Sequence, residues 1–286
     1  MSAASAGIYH FTWSPTADDV RLRLFAISCR RAGFQTKFIR CASTNDKPAT
    51  LVRAIASLDD KSVICCTDSF DILCTNTPAT VLEAFRASGH DIVFGAERAP
   101  YHHFVSSVEC FNSASVTSPY RYLNGGVFTG YAGAVRDMLA DIAALPMSDD
   151  DRPLLSSQED DVNDQTVFGR YAATHREAVA LDRNATICWN LFGELDAFCA
   201  SLESSADPFV NPATGMRPAF LHVSHLRKYY PAYLWAARRL GLPINGRTVN
   251  LRLFDHHIEG VIPEIDGPSI PPDPETSAIL KATIEY

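Results

Sequence analysis

Short apolar runs alternate with stretches of helical periodicity over the first hundred residues. "GIYHFT" (7–12) reads as a first strand, and Val20, Leu24 and Ile27 then fall on one face of a helix. Thr16 and Asp19 supply a capping box for that helix, and Gly33 after Arg30 and Arg31 closes it. "TKFIR" (36–40) is a second strand, "KPATLVRAIASL" (47–58) a second helix and "SVICCT" (62–67) a third, fully buried strand. "PATVLEAFRASG" (78–89) is helical again and "DIVFGA" (91–96) is a fourth strand. Strands alternating with helices predict an α/β fold with a mostly parallel central sheet.

The regularity fails after residue 97. Residues 97–123 read as a long irregular excursion, a length at which loops are usually functional or mobile. Order returns with "NGGVFTGYA" as a strand, a helix over 132–144, an acidic loop, a helix in "QTVFGRYAATHRE" (165–177) and an extended "AVALD" (178–182). The body is expected to span residues 1–242 as one domain. Residues 243–286, rich in Pro and Gly, read as an arm packed on that same domain.

Composition narrows the picture in three ways. The net charge of -8 argues against a broad nucleic-acid footprint, so an anionic ligand would need a few local cations or a metal. No apolar run approaches the ~20 residues of a membrane span. The chain has eight cysteines, none in CxxC spacing and several inside apolar runs, where Cys behaves as a small hydrophobe. With no secretory signal read at the N-terminus, reduced thiols and a cytoplasmic protein are expected.

The candidate chemistry begins where "SVICCT" runs into Asp68 and Asp71. On an extended strand these two would face opposite ways; if the chain turns after Thr67, they come to one side. The carboxyl end of a central strand is where open α/β sheets bind ligands. Paired acids there suit a hard divalent ion that keeps positions open for phosphate oxygens. The plainer alternative is that Asp68 caps the next helix and Asp71 is merely exposed.

Other stretches carry weaker signals. Asn124-Gly125-Gly126 offers either close backbone approach to a ligand or an ordinary hairpin turn. Glu159, Asp160, Asp161 and Asp164 either favour a helix start or orient a sugar hydroxyl. His222 ends an apolar run ahead of His225, Arg227 and Lys228, so it is a metal ligand or a satisfied structural histidine. Lys47 stands near a helix N-terminus, where anions bind well.

Taken together, "TDSFD", "YLNGGVFTGYA", "NDQTVF", "LDRNATICWNLFGELDAF" and "LHVSHLRKYYP" resemble the glycosyltransferase domain of the procollagen lysyl hydroxylases and related collagen hydroxylysine glycosyltransferases. The five stretches are colinear and spread over most of residues 7–240. The resemblance implies a GT-A-like nucleotide-binding αβα sandwich that uses a UDP-sugar donor with Mn2+ or Mg2+. It implies Asp68, Asp71 and His222 as metal ligands. It implies Thr12, Lys47, Phe70, Ser224 and Lys228 as contacts to the nucleotide sugar, Phe70 replacing the family's usual Tyr in the acidic motif. Asn124, Asp161 and Asp164 would line the sugar and acceptor side, with Asp164 the first candidate for a base. The implied partners are a nucleotide sugar and a hydroxyl acceptor, possibilities that include hydroxylysine and glycosyl-hydroxylysine. A homodimer is a further expectation, since related enzymes are often dimers. The alternatives are a phosphohydrolase of haloacid-dehalogenase type and a non-catalytic nucleotide-sugar-binding protein.

Overall fold

A computed structural model describes residues 7–14, 20–41, 46–99, 117–144, 164–224 and 226–242, with side chains for these apart from residues 14, 20, 202–204 and 226–231. The strands are β1 (Ile8–Ser14), β2 (Thr36–Arg40), β3 (Val63–Thr67), β4 (Ile72–Cys74), β5 (Ile92–Glu97), β6 (Tyr122–Tyr131), β7 (Val179–Leu181), β8 (Cys188–Asn190) and β9 (Phe220–His222). The helices are α1 (Val20–Ala32), α2 (Lys47–Ile55), α3 (Pro78–Ser88), α4 (Ala132–Ala144), α5 (Asp164–Thr174), α6 (Leu195–Ser204) and α7 (Leu226–Arg239).

The nine strands among the described residues belong to one sheet in the order β2-β1-β3-β6-β5-β8-β9-β4, with β7 also paired to β5. The ladders β1–β2, β1–β3, β5–β7, β5–β8 and β8–β9 are parallel. Strand β6 runs antiparallel between β3 and β5, and β4 runs antiparallel on β9. The sheet is therefore mixed and mostly parallel, with helices on both faces.

Strand β3 shows why its sequence reads as one continuous apolar run. All five of its residues are buried. Ile64 and Cys66 point into a core built with Leu51 and Ile55 of α2 and Val135 and Met138 of α4. Val63 and Cys65 point into the opposite core, with Phe25 and Cys29 of α1 and Val81 and Phe85 of α3. A strand covered on both faces has no polar side to show, hence the lost alternation.

Strand β4 was not foreseen, and it reshapes the sheet. It follows β3 after only Asp68–Asp71, yet it lies at the far edge, five strand spacings away. In a flat sheet that separation is about 24 Å, while the five steps from Thr67 to Ile72 reach at most about 17 Å. The sheet must curl, which carries β9 and β4 back toward the end of β3.

Other elements differ from the sequence reading in smaller ways. The Asn124-Gly125-Gly126 run lies inside β6, at a register shift opposite Phe94 and Gly95, and so forms a bulge rather than a hairpin turn. Helix α5 starts at Asp164 and stops at Thr174, before His175. The capping box at Thr16 and Asp19, most of the excursion and the arm over 243–286 lie outside the described residues. The seven cysteines described are free and buried. Burial pushes the Cys65 thiol up to about 12, so it behaves as a small apolar group.

Candidate metal and nucleotide-sugar site

The turn between β3 and β4 brings the two acids to one side. One ligand atom from each of Asp68, Asp71 and His222 lies within 4.8 Å of the others. The Asp68 backbone N–H donates to Gly126 O at 2.8 Å, which ties the turn to the β6 bulge. His222 arrives at the end of β9, where Ile72 is its ladder partner, and its Nε2 lies 3.3 Å from Asp71 Oδ2. The curl of the sheet thus brings Asp68, at the end of β3, to Asp71 and His222 at the far edge.

Two amide oxygens hold the other imidazole nitrogen. His222 Nδ1 lies 2.5 Å from Asn190 Oδ1 and 3.1 Å from Asn124 Oδ1. The orientation of each amide is fixed from its other end: Asn190 Nδ2 donates to Ala96 O at 2.9 Å, and Asn124 Nδ2 donates to Glu97 Oε2 at 2.9 Å. Asn124 Oδ1 also accepts the Gly126 N–H at 3.0 Å. Glu97, buried at the end of β5, further accepts from Gln165 Nε2 at 3.0 Å, and Gln165 Oε1 accepts the Gly125 N–H at 3.2 Å.

The glycine pair serves this packing. A Cβ on Gly126 would meet His222 Cε1 at 2.5 Å, and one on Gly125 would meet Gln165 Cα and Phe168 Cδ2 at 3.1 Å. Neither glycine adopts positive φ. What they permit is close approach, here to the imidazole and to α5.

Among the described residues, Lys47 offsets part of the acidic charge. Lys47 Nζ donates to Asp68 Oδ1 at 3.0 Å and to Asp164 Oδ2 at 2.9 Å, and it lies 4.8 Å from the centre of the Trp13 ring. Trp13 Nε1 donates to the same Asp68 oxygen at 2.6 Å. Burial would depress the Lys47 ammonium, but Asp164 and Asp68 outweigh it and hold its pKa above the ordinary value. Burial raises Asp68, with Asp164 and Asp71 adding to the rise against Lys47. Burial opposes ionisation of Asp71 as well, yet the adjacent His222 holds that carboxyl below its usual range. Burial would likewise lower His222, and Asp71 reverses the sign.

The remaining expected residues are placed as follows. Thr12 is fully buried, pairs with Thr67 and donates its hydroxyl to Thr67 O at 2.8 Å, binding β1 to the end of β3. Phe70 sits in the acidic turn with the Arg21 guanidinium 4.9 Å from its ring centre. Ser224 follows β9, and its buried Oγ has no hydrogen-bond partner among the described residues. Lys228 lies on α7, but its side chain is not among those described, and Asp161 lies outside the described residues.

Sequence reasoning passed over Trp13, Glu97, Gln165 and Asn190. Glu97 ends an apolar strand as Asp68 does, so the rule applied to β3 would have found it. Asn190 is a lone amide in the short apolar run "CWN", and its role depends on β8 lying beside β9, a pairing distant in sequence.

Two acids and an imidazole whose Nδ1 is held by two amide oxygens form a donor set that suits a divalent ion. A curled, mostly parallel αβα sandwich bearing that cluster at its strand ends is a GT-A-like α/β domain. Its family is specific. The model of the PLOD glycosyltransferase (GT) domain matches residues 45–235, more than half of the chain, and the chain belongs to that family. Among its relatives is procollagen-lysine,2-oxoglutarate 5-dioxygenase of Drosophila melanogaster, 25% identical over 180 residues. That match covers 59% of this chain and 22% of the relative, so the chain spans less than a quarter of the fly protein. Among solved structures, a glycosyltransferase involved in the glycosylation of the major capsid of PBCV-1 aligns with a TM-score of 0.48 and 9% identity, over 82% of this chain and 99% of that one.

Proposed function

We propose that this chain is a metal-dependent glycosyltransferase that moves a hexose from a UDP-sugar to a hydroxyl acceptor. The observation that carries the reading is the convergence of Asp68, Asp71 and His222, within a family defined by a glycosyltransferase domain. These three residues would hold Mn2+ or Mg2+, which when bound supplies Lewis-acid stabilisation of the leaving diphosphate.

The chain's own groups do the rest. Lys47 supplies a fixed ammonium beside the acids, where negative charge grows as the glycosyl bond breaks. Ser224, two residues after His222, presents a buried oxygen with no partner among the described residues, suited to a donor oxygen. Phe70 would offer a ring face to the uracil, and Lys228 would add positive charge from α7. Thr12, fully buried with its hydroxyl on Thr67 O, would act only by holding the end of β3. Asp164, held by Lys47, is the first candidate to take the acceptor proton, and Asp161, outside the described residues, is the second acid proposed for the acceptor. Asn124 acts on this side through the bulge it fixes. The acceptor class suggested by the family is a hydroxylysine or glycosyl-hydroxylysine side chain.

The test is release of UDP from UDP-glucose and UDP-galactose, with Mn2+ or with chelator, and with and without a hydroxylysine peptide. Chelator should stop turnover and added Mn2+ restore it, and Asp71→Ala should be inactive under both conditions. Turnover indifferent to chelator and to Asp71→Ala would remove the metal assignment. Free phosphate in place of UDP would instead point to a phosphohydrolase.

A further inference from the structure

We infer that Asn190 is a positioning residue that fixes His222 in the tautomer whose Nε2 faces the two acids. Asn190 Oδ1 is the nearest group to His222 Nδ1, at 2.5 Å. The amide is turned that way because its Nδ2 donates to Ala96 O, a backbone carbonyl of β5 that cannot donate in return. Both ring nitrogens face acceptors, but Nδ1 meets two amide oxygens at 2.5 and 3.1 Å while Nε2 meets Asp71 Oδ2 at the longer 3.3 Å, so the closer contacts place the single proton of the neutral ring on Nδ1.

The consequence lies at the other nitrogen. With Nδ1 protonated, neutral His222 carries its lone pair on Nε2, the atom 3.3 Å from Asp71 Oδ2 and within the acidic cluster. Asn190 is fully buried and lies on the strand beside β9, so it also limits rotation of the ring. Groups that orient a liganding histidine in this way typically change metal affinity by about 10- to 100-fold when removed. The inference rests on reading the cluster as a metal centre, but its first readout involves no metal.

That readout is 15N NMR of histidine-labelled, metal-free protein at alkaline pH, with His222 assigned by its loss in His222→Gln. The expected spectrum has Nδ1 protonated and Nε2 bare. In Asn190→Ala the signal should move toward a tautomer mixture, and the Kd for Mn2+, measured by calorimetry, should rise at least 10-fold. Asn190→Asp retains an acceptor oxygen and should keep the Nδ1–H form even though it loses the bond to Ala96. Circular dichroism and melting establish that each variant is folded, and the Asp variant serves if the Ala variant is not. A wild-type ring protonated on Nε2 would overturn the inference, as would a folded Asn190→Ala with unchanged tautomer and Mn2+ affinity. Loss of the Nδ1–H form in a folded Asn190→Asp would do the same. Failure of UDP-sugar turnover with tautomer and Mn2+ binding intact would instead count against the proposed function alone.

Discussion

Asp68 and Asp164 share one ammonium: Lys47 Nζ lies 3.0 Å from the first and 2.9 Å from the second. The candidate metal side and the candidate acceptor side are thus joined through a single cation from the start of α2. None of the three side chains is as much as a third exposed, so this bridge is less screened than a surface pair.

Replacing Lys47 with Met keeps the stem and removes the charge, leaving Asp68 and Asp164 to repel each other. A partly buried pair broken on one side should cost about 2 kcal/mol, between the exposed and fully buried cases. Turnover should fall by about 100-fold if the ammonium also stabilises the departing diphosphate. Urea unfolding and UDP release read the two effects separately. A loss of stability with full turnover would confine Lys47 to a structural part.

Gly126→Ala tests the bulge. Its Cβ would stand 2.5 Å from His222 Cε1 and 3.1 Å from Asn124 Oδ1, so the imidazole must move. Overpacking of this kind costs about 1–3 kcal/mol. The displaced ring should also weaken Mn2+ binding, seen as a smaller rise in melting temperature on adding Mn2+ than wild type shows. Equal Mn2+ stabilisation in both proteins would mean the ring tolerates the methyl where it is.

Much of this arrangement was legible in the sequence, and the reasons are local. Val63–Thr67 announced a strand buried on both faces, and the break at Asp68 marked its carboxyl end, where the acids gather. His222 was legible in the same way, as a titratable group closing an apolar run. What stayed hidden depends on pairing between distant segments. Strand β4 is three residues long and follows a turn, so no periodicity can reveal it. Its place on β9, which sets His222 beside Asp71, and the curl that carries both to Asp68 come from long-range ladder bonds. The Asn124-Gly125-Gly126 run carried its composition signal, but turn chemistry and close approach use the same residues. Only the register of β5 against β6 distinguishes them. Asn190 had no signal of its own beyond being polar where its neighbours are not.

Glu194 gives a test of the fold away from the acids. It is buried just before α6, accepts from Arg98 Nη1 at 2.6 Å and Tyr120 Oη at 2.6 Å, and takes Trp189 Nε1 at 2.8 Å. Tyr120 Oη in turn accepts from Asn211 Nδ2 at 2.6 Å. Glu194→Ala strands a phenol, an indole N–H and a guanidinium at once. The expected cost is about 3 kcal/mol, or roughly a 5–10 °C drop in melting temperature. A melting point within 1 °C or so of wild type (roughly a few tenths of a kcal/mol) would show that the network relaxes onto water.

The pH dependence of stability should carry two opposed signatures. His10 is enclosed by Phe25, Phe34 and Phe220, with Nδ1 2.8 Å from Thr36 Oγ1 and Nε2 3.1 Å from Thr67 Oγ1. Burial lowers its pKa to about 3. The unfolded chain therefore takes up a proton below its usual value near 6.5 that the folded chain refuses. Stability from this group is present above pH 6.5 and is lost as pH falls toward 3, by about 2 kcal/mol at pH 5. Asp182 has the other sign. Burial raises its pKa to about 6 against the N–H groups of Cys188, Thr186 and Ile187. The folded state holds that proton while the unfolded state has released it, so this group favours folding as pH falls from 6 to about 4. In wild type the two slopes largely cancel over that window. His10→Gln should remove the loss, so that its stability deficit relative to wild type shrinks on acidification from pH 7 to 4. Asp182→Asn should remove the gain and leave a protein that weakens by about 1.4 kcal/mol per pH unit more than wild type between pH 6 and about 4. Urea unfolding of the three proteins at half-unit intervals gives these differences directly, and parallel curves would show that neither buried group resists its proton as placed.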